Sequence, residues 1–315
     1  MLETIPSVDL QKFKSTDPQD KAHFVRTLGS ALSEIGFFVV KNHGIDLSLI
    51  DSAYQIAQTF FELPVHTKKQ YEMPGLAGQR GYTSFGKEHA KNHQAPDLKE
   101  FWHVGRELMP THSLYQTYPK NIWPQEISAF KEVMLTIYQQ LDTCAQSLLQ
   151  ACALYIGEPS NRFSDMAQDG NTILRVIHYP PIPPEAHPQS IRSAPHEDIN
   201  LITLLCEATA GGLELQKRDG SWFPVKALYG DIIADAGDML QNVTNGVYKS
   251  TTHRVVNPNN SKERRFSMPF FVHPRSEVSL NPLDSCIKRM GEKKYPDITA
   301  GQYLAQRLQE IGLKY

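Results

Sequence analysis

The sequence predicts a mixed, mainly β fold: a core of many short strands with helices packed beside it. Three observations predict it. From Thr172 onward the chain reads as short β-type runs separated by turn signals. Before about residue 160 the apolar residues recur mostly at helical spacing. Apolar residues make up 40% and charged residues 21% of the 315, enough to bury a sizeable core. Many short strands at such spacing argue for a sandwich or jelly roll. The length allows one large domain or two small ones. We divide the chain into a helical region over 1–160, a β core over 161–280 and a helical tail over 281–315, together one compact unit.

In chain order, Gln19 to Ile35 carries Phe24, Val25, Leu28, Leu32 and Ile35, which predicts a helix. Residues 36–40, GFFVV, form a short buried strand closed by a turn at Asn42-His43-Gly44, where His43 has a structural role. A helix follows from about Leu47 to Phe61, stopped by Pro64. Residues 73–96 are rich in Gly and polar side chains and predict a long loop, a common place for function. The longest helix runs from about Pro124 to Ile156, with Val133, Ile137, Leu141, Cys144, Leu148 and Cys152 on one face. The β runs are TILRVIHY, INLITLLC, GLELQ, WFPV, DIIADA, YKSTTHRVV and RFSMPFFV. Lys217-Arg218-Asp219-Gly220 supplies an Asp-Gly hairpin signal between two of them. Residues 180–188, PPIPPEAHP, are a non-helical loop, and a last helix spans about Ala300 to Ile311.

Composition excludes several functions. Lys plus Arg number 32 against 34 Asp plus Glu, a net charge of −2, so the basic footprint of a nucleic-acid binder is missing. No stretch approaches the roughly 18 apolar residues of a membrane helix. The charged N-terminal stretch does not read as a signal peptide. Four scattered cysteines, Cys144, Cys152, Cys206 and Cys286, form no CxxC pair and predict free thiols in a reducing cytoplasm. We expect a monomer with a small-molecule substrate.

Of twelve histidines, His196 stands out. It precedes INLITLL in Ala-Pro-His-Glu-Asp, and in an extended chain His196 and Asp198 project from one face. His253, in a second β-branched run, is the best third ligand. Two histidines and a carboxylate leave open positions, the arrangement of a non-haem Fe(II) oxygenase. The same three residues also suit a catalytic zinc, and an HxD pattern alone arises by chance among twelve histidines. Arg265 and Ser267 favour iron. They share a strand face and offer a guanidinium fork with an added hydroxyl donor, a receptor for the far carboxylate of a dicarboxylate such as 2-oxoglutarate. Arg264, of opposite parity, reads as a surface residue.

These motifs occur together with others in a fixed order: Ile5-Pro6-Ser7-Val8-Asp9-Leu10, GFFVVKNHGI over 36–45, Asp97-Leu98-Lys99-Glu100-Phe101, LRVIHYP over 174–180, HEDINLITLL, Gly237-Asp238 with Thr244-Asn245-Gly246, Tyr248-Lys249-Ser250, His253-Arg254-Val255 and RFSMPFF. The set resembles the isopenicillin N synthase-like 2-oxoglutarate/Fe(II)-dependent dioxygenases over nearly the whole chain. The resemblance implies a double-stranded β-helix, a cupin-like jelly roll with flanking α-helices. It implies His196, Asp198 and His253 as iron ligands and Arg265 and Ser267 as cosubstrate anchors. Tyr179 matches a tyrosine that touches cosubstrate or substrate, and Arg175 a position that faces the substrate. Ile177 stands where many plant members have Asn.

The implied reaction is oxidative decarboxylation of 2-oxoglutarate to succinate and CO2, coupled to hydroxylation, desaturation or ring closure of a small molecule. O2 is the second cosubstrate and ascorbate a stimulant. An oxidase of isopenicillin N synthase type, working without 2-oxoglutarate, keeps the same residues. A zinc hydrolase and a non-catalytic ligand-binding protein are the readings from other classes. Residues 76–106, with Arg80, Tyr82, Phe85, Lys87, His93 and Trp102, are expected over the mouth of the site. Phe270, Leu204 and Cys206 are expected as its lining or as core. The mix of basic and aromatic residues suggests a small polar metabolite, an amino acid or a heterocycle.

Overall fold

The structure is a computed structural model, and it describes residues 4–76, 78–89, 95–226 and 228–310. His93 and Ile311 lie outside the described residues. In chain order the strands are β1 (Ser7–Asp9), β2 (Phe37–Lys41), β3 (Gly81–Thr83), β4 (Glu100–Gly105), β5 (Ile173–Tyr179), β6 (Ser193–His196), β7 (Ile202–Cys206), β8 (Leu213–Gln216), β9 (Trp222–Pro224), β10 (Ile232–Ala236), β11 (His253–Val255) and β12 (Arg265–Val272). The helices are α1 (Leu10–Lys14), α2 (Pro18–Glu34), α3 (Leu47–Phe61), α4 (Val65–Lys69), α5 (Phe130–Tyr155), α6 (Arg162–Ala167), α7 (Asp238–Val243), α8 (Asp284–Met290) and α9 (Ala300–Glu310).

Two sheets face each other in a jelly roll. The larger runs β1-β2-β10-β7-β12-β5-β4-β3 and the smaller β6-β11-β8-β9. All pairings are antiparallel except β1 with β2. The N-terminal region, expected to be mostly helix, therefore also supplies both edges of the large sheet: β1 and β2 on one side, β3 and β4 on the other.

Alternation along each strand separates two cores. Val40, Trp102, Val176, Leu204, Ala234, Met268 and Phe270 point outward, into one apolar cluster with α2, α3 and α5. Phe37, Phe101, Ile177, Tyr179, Ile233 and the small sheet's Leu213 and Val255 form a second cluster between the sheets. The helices that cover the outer face start on sequence signals. Asp17 accepts from the Gln19 N–H at 2.8 Å, with Pro18 as the first helical residue, and Asp46 accepts from the Ser48 N–H at 2.9 Å. α5 packs Met134, Ile137, Leu141, Leu148 and Cys152 against the sheet. All four cysteines are buried and free, as expected. Gly220, with φ +83°, closes the expected hairpin between β8 and β9. No helix among the described residues is long and apolar enough to cross a membrane.

Candidate active site

His196 ends β6 and His253 opens β11, and the two residues are directly opposite each other in the antiparallel ladder. Their rings lie 4.4 Å apart between centroids. Asp198 arrives by a route the sequence did not show. The expected regular strand through INLITLL breaks after His196, and Asp198 sits in the turn before β7. That turn is held by buried Asn200, whose amide donates to the Ile202 carbonyl at 2.7 Å. Gly237 presses against it so closely that a Cβ there would sit 2.2 Å from the Asn200 carbonyl oxygen. The Asp238 N–H donates to the Asp198 carbonyl at 2.7 Å. This explains the Gly237-Asp238 pair.

Asp198 Oδ1 then lies 3.9 Å from His196 Nε2 and 3.7 Å from His253 Nε2, and the three donor atoms fall within 4.8 Å of one another. Each imidazole turns Nδ1 to a backbone carbonyl, Ala194 at 2.7 Å and Thr251 at 3.1 Å. Those bonds fix the tautomer and leave both Nε2 lone pairs facing one point. Burial, then the neighbouring His253, pull the His196 imidazole down to about 4, so it is neutral at pH 7, the form that can bind a metal. The Thr203 hydroxyl donates to Asp198 and orients its carboxylate. Burial, then the charge of Asp198, push the Asp235 carboxyl well above its ordinary value. The donor set is two nitrogens and a carboxylate on one side of a point, which fits Fe(II) with open positions.

Arg265 and Ser267 are both buried on the inner face of β12, opposite Tyr179 and Ile177 of β5. Arg265 Nε donates to the Ala210 carbonyl at 3.0 Å, while Nη1 is buried without a partner. Its guanidinium carbon stands 4.9 Å from the centre of the Tyr179 ring. A buried, half-satisfied guanidinium fits an incoming carboxylate.

Residues 170–274 match the 2OG-Fe(II) oxygenase superfamily, and residues 5–126 match the family described as non-haem dioxygenase in morphine synthesis N-terminal. The chain is 40% identical to a solved 2OG-Fe(II) oxygenase family protein from Caulobacter crescentus, with a TM-score of 0.87, covering 98% of this chain and 100% of that one. The chain belongs to the 2OG-Fe(II) oxygenase superfamily. A homoarginine-6-hydroxylase from Oryza sativa is 31% identical over 97% of each chain. A Neurospora crassa protein solved with alpha-KG (2-oxoglutarate) and thymine is 28% identical, with a TM-score of 0.86, covering 97% of this chain and 96% of that one.

In this 2OG-Fe(II) oxygenase a cavity of about 780 Å³ opens onto His196 and Asp198. Arg175 and Tyr82 line it, as expected. Phe85 is not among its lining residues, whereas Lys87 is. Arg80, Trp102, Phe270, Leu204 and Cys206 do not line it. Each is fully buried, and the last four face the helices. The reason is parity: the turn at Asp198 shifts the alternation of β7, so Thr203 rather than Leu204 points toward Asp198. Likewise Phe271 lines the cavity while Phe270 meets the Tyr138 ring at 4.9 Å. Arg80 turns inward to the Gln79 carbonyl and to Asn171. Arg264, expected at the surface, is half-buried and bonds exposed Glu62 and buried His178. His43, as expected, holds its turn through the Gly230 carbonyl at 2.7 Å.

Several cavity residues were not legible beforehand. Arg175 makes a two-pronged ion pair with Glu88, at 3.1 and 3.2 Å, and lies 4.1 and 5.4 Å from the ring centres of Phe101 and Phe271. Buried Lys99 bridges Glu88 at 2.7 Å and Asp97 at 2.9 Å. Burial opposes ionisation of Glu88, but Arg175 and Lys99 outweigh it and hold the carboxyl well below its ordinary value. His103 is neutral through burial and the charge of Arg175. Leu304 and Arg307 of α9 also reach the cavity, with Arg307 tied to Asp238 at 3.2 Å. A loop carboxylate such as Glu88 carries no periodic signal. The Asp97-Leu98-Lys99-Glu100-Phe101 segment was the clue, because Lys99 and Phe101 alternate with Glu100.

Proposed function

We propose that His196, Asp198 and His253 hold the Fe(II), that Arg265 and Ser267 hold the far carboxylate of 2-oxoglutarate beside Tyr179, and that the reaction hydroxylates a small polar metabolite of amino-acid or heterocycle size. The observation that carries the reading is the pairing of an open two-histidine, one-carboxylate cluster with a buried guanidinium whose Nη1 has no protein partner. Bound Fe(II) supplies O2 activation coupled to decarboxylation of 2-oxoglutarate. The chain's own residues do the positioning. Thr203 orients Asp198, backbone carbonyls orient both imidazoles, and Ile177 keeps one side of the cosubstrate pocket apolar. The wall of Arg175, Glu88, Phe101 and Phe271 presents fixed charges and ring faces to the substrate. Homoarginine and thymine, named with the rice and Neurospora relatives, are both nitrogen-bearing molecules of this size, which supports the substrate class. Every residue in the scheme comes from one chain, so a monomer suffices, and the four buried thiols support a reducing cytoplasm.

With Fe(II), ascorbate and O2, the protein should release succinate from 2-oxoglutarate, slowly even without the substrate. Arg265→Ala should weaken anaerobic 2-oxoglutarate binding about tenfold to a hundredfold, the worth of a hydrogen-bonded charge, and change Fe(II) binding much less. Failure of the Fe(II)-loaded wild type to bind 2-oxoglutarate would favour an oxidase that works without it.

A further inference from the structure

A second buried arginine stands beside the Tyr179 ring. Arg192, just before β6, is 1% exposed. Its guanidinium carbon lies 5.9 Å from the centre of the Tyr179 ring, the same ring that Arg265 approaches at 4.9 Å. Its backbone N–H donates to Asn257 Oδ1 at 3.0 Å and its Nη2 to the Glu263 carbonyl at 2.5 Å, while Nε is buried without a partner. Arg265 is built alike: one bond to a backbone carbonyl and one buried nitrogen unspent. Among the described residues neither guanidinium has a carboxylate within ion-pair distance.

Buried charges are normally paired, because an isolated one loses its hydration without return. Here two like charges share one ring, and the hydrogen bonds the protein gives them go to neutral carbonyls, with the Glu263 carboxylate acting on Arg192 only from beyond ion-pair distance. Burial, and then the charge of Arg265, pull the Arg192 guanidinium below its ordinary value. Two buried lysines of this molecule are treated differently. Lys68 has Glu100 at 2.8 Å, and Lys99 has Glu88 and Asp97. The missing partner at Tyr179 is therefore an anion that comes from outside.

We propose that Arg192 is a second cationic anchor for the distal carboxylate of 2-oxoglutarate, acting with Arg265 beside the Tyr179 ring. The inference deepens the functional reading above and rests on it. Arg192 is a binding and positioning residue, and what it adds is selectivity for a dicarboxylate over a 2-oxo acid that lacks the far charge.

The test compares 2-oxoglutarate with 2-oxopentanoate, which keeps the chelating end and replaces the far carboxylate by a methyl group. Binding to the Fe(II)-loaded full chain is measured anaerobically by calorimetry, with weak binding read by competition. Arg192→Met should weaken 2-oxoglutarate roughly tenfold to a hundredfold, the range for a charge-assisted hydrogen bond. It should leave 2-oxopentanoate and Fe(II) binding unchanged. Arg192→Gln, which keeps donors but not the charge, gives the same comparison should the methionine variant not fold. Equal weakening of both acids would mean a merely structural role and overturn the proposal. So would unchanged 2-oxoglutarate affinity in Arg192→Met alongside a loss in Arg265→Met, which leaves the functional reading standing. A wild type that binds Fe(II) but no 2-oxoglutarate overturns both.

Discussion

The two faces of the large sheet are made from the same strands, yet they are built on opposite terms. Toward the helices most alternate side chains are apolar or aromatic, with Leu204, Met268 and Phe270 all fully buried, and the buried Glu100 there is paired with Lys68. Toward the small sheet the intervening positions carry Thr203, Asp235, Arg265 and Ser267, equally buried but polar or charged. Dense apolar packing stabilises a fold. Buried charges without protein partners cost stability, and in the function proposed above they hold a ligand instead. One strand thus serves both purposes, and a shift of one residue moves a side chain from structure to chemistry.

That contrast can be broken on either face. The largest stability effect is expected outside. Phe270→Ala removes a ring that packs edge-on against Tyr138 and should cost about 3–5 kcal/mol. Folded molecules of this variant should still bind Fe(II) and 2-oxoglutarate with wild-type affinity. Chemical denaturation followed by titration below the unfolding midpoint checks both halves. Comparable loss of ligand affinity in the folded variant would contradict the separation of the faces.

A smaller effect is expected inside, through pH. His273 follows β12 on the inner-face parity, lines the cavity, and has a buried Nδ1 with no partner. Burial lowers its imidazole to about 4. The unfolded chain, with an ordinary imidazole near 6.5, then binds a proton that the folded chain refuses. The folded state gains from this group's neutrality above about pH 6.5 and loses it as pH falls toward 4. Replacing it by His273→Asn should flatten the metal-free stability profile over that window by on the order of 2–3 kcal/mol. Parallel melting curves of wild type and variant from pH 7 to 4 measure the difference. Superimposable slopes would show that this imidazole is not sheltered.

How much of this was legible in the sequence follows the same division. The cluster of His196, Asp198 and His253, and the buried pair Arg265 and Ser267, were readable as candidates because each lies on or beside a strand within a short motif. The start and stop of α3 were readable from Leu47, Phe61 and Pro64. Face assignment was open where the chain leaves regular geometry. The turn held by Asn200 shifts the alternation and puts Leu204 and Cys206 in the core, one of the two places expected for them. Trp102 and Phe270 miss the cavity by a single residue of parity. Glu88 and Arg192 were missed for another reason. A charged residue in a loop looks solvated in sequence, and only the folded chain shows it enclosed. The short helices α4, α6, α7 and α8, of five to seven residues, are too brief to carry a periodic signal.

The central claim is that the inner face is arranged for ligands rather than for stability. Its most direct test is one paired measurement on His253→Ala: Fe(II) affinity by anaerobic calorimetry, and the melting temperature of the metal-free protein. The account predicts more than roughly a hundredfold loss of Fe(II) affinity, beyond the 10–100-fold typical of residues that only support a ligand. It predicts a metal-free melting temperature within about 2 °C of wild type, equivalent to about 1 kcal/mol for a chain of this size. Unchanged Fe(II) affinity would contradict the metal assignment, and a collapse of the metal-free fold would contradict the division between the faces.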